Sequence, residues 1–349
     1  MKLTITILFI FLAAVSCKKD IYSGIAFTAP VFPDSASVQA TILNDSIYTN
    51  MSDIAVYKNY IVAATPMEDY MFQLYDAKTG VAVKKFGRLG RGPQEIFKVY
   101  NFSINSQHGT LTAFHQESRD IYCFYLDSVI QGRPHFMDKI NIKHYADMTF
   151  HIAFRCAQGF LLYGEKCMVY PGGARLTLFS KDGNIVNAYD KYPVSANPQD
   201  SVEAHEDWDW LLPRMVVSPD GTKYAEATLV GGMLETFQIA DKISPMFLRG
   251  YYKPHFYMEK NQPVYTQKTQ FAFAALAATD NYLYALSLNG ANDLYLPVTD
   301  IQVFDWQGNP IKKYKTNQLL MRLCADEANG KAYAIVYDNG DQNLVSFNL

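Results

Sequence analysis

The sequence predicts an all-β fold, a six-bladed β-propeller with four antiparallel strands per blade. Three observations lead there. A unit of apolar strand, short polar or Gly turn, and Tyr- or Ala-rich strand recurs six times along the 349 residues. The turn residues of those units, Asn59, Gly109, Gly159, Gly221, Asn281 and Gly330, are 50, 50, 62, 60 and 49 residues apart. The chain also holds 25 Tyr and 22 Phe, an aromatic load that suits strands better than helices. Two hairpins in about 50 residues is the length of one propeller blade. Helical solenoids repeat at similar periods, but Gly-centred turns and alternating Tyr, Phe and Val do not fit a 3.6-residue period. A pair of β-sandwiches is the remaining alternative.

Residues 1–16 read as a signal peptide. Lys2 is a minimal basic start, and Leu3 to Val15 is an apolar run of 13 residues, short of the roughly 20 needed to span a bilayer. The run ends Ala14-Val15-Ser16-Cys17, which resembles a bacterial lipobox with Cys17 as the acylated residue. Several acyl chains at about 0.8 kcal/mol per buried CH₂ anchor a protein stably. Cys17-Lys18-Lys19-Asp20 resembles the start of many Bacteroidetes lipoproteins, and Lys rather than Asp after Cys17 favours the outer membrane over the inner one. Residues 17–36, with Pro30 and Pro33, read as the lipidated Cys and its tether. Residues 37–349 are left for the propeller.

Within it the first strands of the six units begin near Ile54, Phe102, Ile152, Met215, Phe273 and Met321. A second hairpin follows several of them, as in Leu74 to Val81, Leu178 to Ile185 and Val303 to Pro310, each turning on a Gly. After Gly330 only two strands remain, so the last blade lacks its outermost one. Ser37 to Leu43 is the free alternating segment, and it is expected to close the ring by pairing there. Hairpin turns then point to one face of the ring. The other face receives residues 86–101, 190–214, 250–270 and 288–300, the long loops where binding tends to reside.

Phe86-Gly87-Arg88-Leu89-Gly90-Arg91-Gly92-Pro93-Gln94-Glu95 is the most distinctive stretch. Three Gly allow positive φ, and Pro93 pushes Gly92 out of the α region. The run resembles a signature of TolB-like six-bladed propeller lipoproteins of Bacteroidetes, with Gln94 where Gly is often found. The resemblance extends over nearly the whole chain and implies the fold and an envelope location; it implies no catalytic residue.

Candidate chemistry is sparse. Backbone amides of the Gly run, with Arg88 and Arg91, could recognise an anion; the structural alternative is an Arg91–Glu95 pair that locks the crossover. Glu203-Ala204-His205-Glu206-Asp207-Trp208-Asp209-Trp210 combines His205, Trp208 and Trp210 as a sugar-stacking set with Glu206, Asp207 and Asp209 as weak cation ligands. The structural alternative there is a Trp plug with a solvated acidic flank. His115, Glu117, Arg119 and Asp120, with Glu68 and Asp69, face the same way and could form a centre near the channel. No cofactor is predicted; Ca²⁺ on the carboxylates is the one exception the composition allows. Cys123, Cys156, Cys167 and Cys324 have no Cys-x-x-Cys spacing and read as buried apolar residues. A formal charge of −3 leaves no footprint for nucleic acid, and no Gly-x-Ser-x-Gly, His-Glu-x-x-His or phosphate loop occurs. The expectation is a non-catalytic binding or scaffolding module for a glycan, peptide or envelope protein on the long-loop face. The alternative is a cation-dependent hydrolase or lyase at the mouth of the central channel.

Overall fold

The structure is a computed structural model that describes residues 22, 24–47, 51–66, 68–99, 101–142, 145, 148–165, 174–193, 208–260, 262–292, 299–338 and 341–349. Six antiparallel sheets form the blades. Their innermost strands are Asp53–Tyr57, Phe102–Asn105, Thr149–Arg155, Pro213–Val217, Phe271–Ala278 and Leu320–Asp326. Each is followed outward by strands two, three and four of its blade, except in blade 6, where the chain supplies only three strands before its end.

The turns explain why the strands stop where they do. In blade 1 the Asp76 carboxylate accepts from the amides of Lys78 and Thr79 (3.0 and 2.8 Å) and Gly80 takes φ +69°. In blade 5 Asp305 accepts from Gln307 and Asn309 and Gly308 takes φ +73°. An acidic residue opening the turn and a Gly in the left-handed region reverse the strand without strain.

The blades are held together by apolar clusters between neighbours. Blades 1 and 2 share Phe72, Phe86, Phe102 and Phe124, with Phe72 packed against the other three rings at 5.3–5.5 Å. The last blade meets the first through Tyr333, Ile335 and Leu344 against Ile54, Ile61 and Tyr75. That cluster makes the ring closed. Two sandwiches would have no such contact between the chain's first and last sheets.

Closure itself differs in detail from the expectation. Thr41–Ile47 pairs antiparallel with Asp341–Asn348 and completes blade 6. The strand Asp34–Ser37, however, pairs parallel with Pro310–Lys315 on the outside of blade 5. The segment 37–43 therefore straddles two sheets, leaving blade 5 at Ser37 and entering blade 6 at Thr41. The stretch read as tether is also partly structured. Phe27 bridges Gly250 on blade 4, Phe32 packs on Phe304 with ring centres 5.4 Å apart, and Tyr22 is buried against Trp208 and Leu211. Among the described residues the N-terminal segment thus lies across three successive blades. Cys17 and the signal segment lie outside the described residues.

Among the described residues two insertions decorate the ring. A short helix, Leu126–Gln131, sits between strands three and four of blade 2 and ends at Gly132 in the left-handed region. A hairpin, Phe256–Glu259 with Gln262–Tyr265, occupies the loop between blades 4 and 5. Cys123, Cys156 and Cys324 are buried and free, with burial pushing the first two thiols up to about 11 and 12; Cys167 lies outside the described residues.

Candidate functional site

The central channel widens on the long-loop face into a cavity of about 460 Å³ lined by Asp53, Asn101, His151, Tyr163, Asp209, Arg214 and Arg322. Most of these side chains come from the same place in their blades. Asp53, His151, Arg214 and Arg322 sit at the long-loop ends of the innermost strands of blades 1, 3, 4 and 6, and Asn101 immediately precedes that of blade 2. Six strands converging on one axis bring together residues up to 270 positions apart in sequence, as in the bond from Arg322 to Ser52.

The two Arg are oriented by the backbone. Arg214 Nε donates to the Ala274 carbonyl (2.9 Å) and Arg322 Nε to the Ser52 carbonyl (2.7 Å), while Arg322 Nη1 donates to Met321 (2.8 Å). Burial, and secondarily the charge of Arg322, lowers Arg214 below the ordinary guanidinium range. Asp53 lies 4.0 Å from Arg322 Nε, and burial pushes its carboxyl up to about 6 against the opposing pull of Arg322. Across the cavity Tyr163 donates to Asp209 (3.0 Å) and the ring of His151 lies 6.2 Å from that of Tyr163. Burial and the nearby Glu226 raise the Tyr163 phenol well above its usual range, so it is a donor at every physiological pH.

Directly behind Asp209 lies a buried ionic cluster. Arg175 Nη2 donates to Glu226 and Glu235 (2.8 and 2.7 Å), Trp208 Nε1 and Tyr224 donate to Glu226, and the guanidinium lies 4.7 Å from the Trp208 ring centre. One guanidinium faces two carboxylates. It stays charged, whereas burial, reinforced by Glu226, pushes Glu235 up to about 7 despite Arg175. A carboxyl raised in the folded state from 4.5 stabilises the fold fully below pH 4.5, and that stabilisation is lost as pH rises through 7. Thermal stability is expected to fall over this window by on the order of 3 kcal/mol, and Glu235→Gln is expected to flatten the decline. An unchanged pH–melting curve in the variant would exclude Glu235 as its source.

This cluster corrects the sugar-stacking expectation. Trp208 is fully buried, because its N–H finds Glu226 and a ring face is covered by Arg175. Trp210 is half-buried, edge-on to Phe256 at 6.2 Å, and its carbonyl accepts from Tyr265. Asp209 reaches the cavity; His205, Glu206 and Asp207 lie outside the described residues.

The Gly-rich loop differs too. Glu95 accepts from the Gly92 amide (2.8 Å) and pairs with Arg88 at 3.5 Å. The expected anion nest is therefore filled by the chain's own carboxylate, and the pairing partner is Arg88, while Arg91 is exposed. Only Gly87 of the three Gly has positive φ. Gly90 is needed for another reason, since a Cβ there would lie 2.0 Å from Glu95 Oε2.

His115, Arg119 and Asp120 lie away from the channel, at the blade 2 turn. Ser118 Oγ is 2.9 Å from His115 Nδ1 and donates to Asp120 (2.6 Å), and Lys139 pairs with Asp120 at 2.8 Å. Arg119 donates to the carbonyls of Tyr145 and Met148, tying down the next loop. Glu68 pairs with Lys85 and the Asp69 carbonyl accepts from Leu89. Among the described residues no three His, Cys, Asp or Glu are grouped to hold a metal ion.

Comparison with known proteins accords with this architecture. The family model TolB-like 6-blade propeller-like matches residues 31–328. The chain belongs to that family. Its fold is similar to that of a candidate exported protein of Bacteroides fragilis NCTC 9343, at 12% identity over 93% of this chain and 98% of that one, with a TM-score of 0.58. It is also similar to a member of the DUF4221 family from Bacteroides vulgatus ATCC 8482, at 9% identity over 89% and 95% of the two chains, with a TM-score of 0.54. No curated protein matches the sequence. As a TolB-like propeller the chain has a closed ring, and its chemistry must be read from side chains at the channel. The channel-lining residues that sequence reading missed, Asp53, Asn101, His151, Arg214 and Arg322, each stand within one residue of Ile54, Phe102, Ile152, Met215 and Met321, the apolar residues that marked the first strands. A polar residue directly before that apolar residue in four of the repeats was the available signal; Arg322 directly follows its own.

Proposed function

We propose that this TolB-like propeller is an exported, lipid-anchored binding module, not an enzyme, and that it captures a carboxylate-bearing ligand at the long-loop mouth of its channel. The supporting observation is the pair Arg214 and Arg322, each fixed through Nε by a backbone carbonyl. Nε and Nη1 of both are engaged by carbonyls, which leaves Nη2 of each for a ligand, and two charged N–H donors on one cavity suit a carboxylate. Asp53 and Asp209 keep the cavity from being uniformly cationic and, with Asn101 and His151, supply partners for hydroxyl or amide groups. A cavity of about 460 Å³ suits one or two sugar residues or the end of a peptide. Export through the leader, acylation of Cys17 and residence at the outer membrane are supported by the N-terminal sequence, and the similar fold of a candidate exported Bacteroides protein agrees with export.

Calorimetry with glucuronate, with N-acetyl-dialanine, and with the methyl ester of each tests the reading and separates an acidic sugar from a peptide end. One free acid is expected to bind and its ester to bind at least about tenfold more weakly, the loss of a charge-assisted bond. Arg214→Gln and Arg322→Gln are each expected to weaken the acid by about the same factor. Binding of ester and acid with equal affinity, or no binding of either acid, would remove the carboxylate assignment.

A further inference from the structure

A second surface lies on the side of the ring, independent of the channel. Between the outer strand of blade 1, Ala82–Arg88, and the helix Leu126–Gln131 of blade 2 runs a groove of about 650 Å³. Phe86 and Val129 are buried in its floor beside the half-buried Phe136. Its walls carry Lys84, Lys85, Arg88 and Arg133 against one lining carboxylate, Glu95; Lys85 also meets Glu68 at 2.9 Å and Lys84 donates to the Val129 carbonyl, which leaves a net positive rim. Glu95 is already engaged by Gly92 and Arg88. In a chain with a formal charge of −3, this is a local concentration of positive charge around an apolar floor.

Ala82–Arg88 is also the outermost strand of its sheet, so one side of its backbone has no strand partner until Arg88, whose carbonyl accepts from the Ile96 amide at 2.9 Å. Val81, directly before it, and Val83, within it, are 60% and 52% exposed. The same ring shows what such an edge accepts, since the outer strand of blade 5 is paired by the extended segment Asp34–Ser37. There Asp34 meets Lys312 at 3.4 Å, an acidic residue of the added strand on a Lys of the edge.

We infer that the groove between blades 1 and 2 docks an extended acidic segment of a partner protein, added as a strand to Ala82–Arg88, with apolar side chains on the Phe86, Val129 and Phe136 floor and carboxylates toward Lys85, Arg88 and Arg133. Strand addition supplies affinity through main-chain bonds, and alternate side chains supply selectivity. Four cations beside an unpaired edge also repel basic segments and chance self-pairing.

The probe is a fluorescein-labelled ten-residue peptide of alternating Glu and Val, with the Lys and Val counterpart and phosphatidylglycerol vesicles as comparisons, used on the full mature chain. The acidic peptide is expected to raise anisotropy, to bind more weakly as salt is raised, and to protect the amides of residues 82–88 from hydrogen exchange. The double variant Lys85→Glu, Arg133→Glu, at two exposed positions, is expected to keep its melting temperature and to lose at least tenfold in affinity. Arg214→Gln is expected to leave this binding unchanged, which separates the groove from the channel mouth. Absence of binding, equal affinity in the double variant, protection outside 82–88, or vesicle binding alone that depends on Lys85 and Arg133 would each overturn the inference, the last in favour of a lipid surface.

Discussion

Arg175→Met is expected to destabilise the propeller by about 3–5 kcal/mol, the range for removing one member of a buried ion cluster. The guanidinium is fully buried, as is Glu226, and Glu235 nearly so. With it gone, two carboxylates would share an apolar interface between blades 3 and 4, and Trp208 would lose the cation stacked on its ring. Arg175→Lys is expected to recover only part of the loss. An ammonium is a single point donor, whereas one Arg nitrogen here serves both carboxylates and a second serves the Lys191 carbonyl. Urea denaturation at pH 7 measures the cost, and a change below about 1 kcal/mol, the size of an exposed pair, would show that the cluster does not depend on its cation. The same variant is expected to weaken ligand capture at the channel, because Asp209 follows Trp208 directly and its orientation relies on that indole being fixed.

A larger loss is expected on removing residues 1–47. Blade 6 would lose its fourth strand and blade 5 its outer parallel strand, exposing backbone on both. Tyr22, Phe27 and Phe32 would vacate apolar contacts on blades 4 and 5, at about 1.5–3 kcal/mol for a side chain fully withdrawn from water and less for the half-buried Phe27 and Phe32. The sum exceeds about 5 kcal/mol, beyond what most single substitutions cause. Calorimetry should show either a melting temperature far below that of the mature chain or loss of a single cooperative transition. An unaltered transition would mean that the ring is closed by blade-to-blade packing alone. Gly80→Val is a gentler version of the test. Its Cβ would lie 2.5 Å from the Leu43 carbonyl oxygen at a position with φ +69°, so it pushes the closing strand away without deleting it.

The strands were legible because their turns carry their own chemistry. Asp76, Ser180 and Asp305 followed by Gly are local signals, and so are the spacings between Asn59, Gly109 and their counterparts. Partner choice was not. Ser37 to Leu43 alternates without interruption in sequence, and nothing in its pattern marks the change of sheet at Val38. The signal for Trp208 was equally ambiguous, since an indole among carboxylates can stack on a sugar or donate to a buried Glu. Arg175, which decides the matter, is 33 residues earlier. Glu95 offers the same lesson at short range, with Arg88 and Arg91 both within reach and only the backbone geometry choosing Arg88. The channel residues were hidden differently. Each is one polar side chain at a strand end, ordinary by itself, and acquires meaning only when six strands share an axis.

The packing of Tyr22 and Phe27 on blade 4 also sets how the molecule can be moored. Between an acylated Cys17, as proposed, and Tyr22 there is chain for at most about 18 Å. With that anchor, so short a leash would hold the propeller close to the bilayer with the rim of blade 4 nearest the lipid. Blades 1 and 2 lie on the far side of the ring, so a partner arriving at the strand edge Ala82–Arg88 would approach from the aqueous side, unobstructed by headgroups.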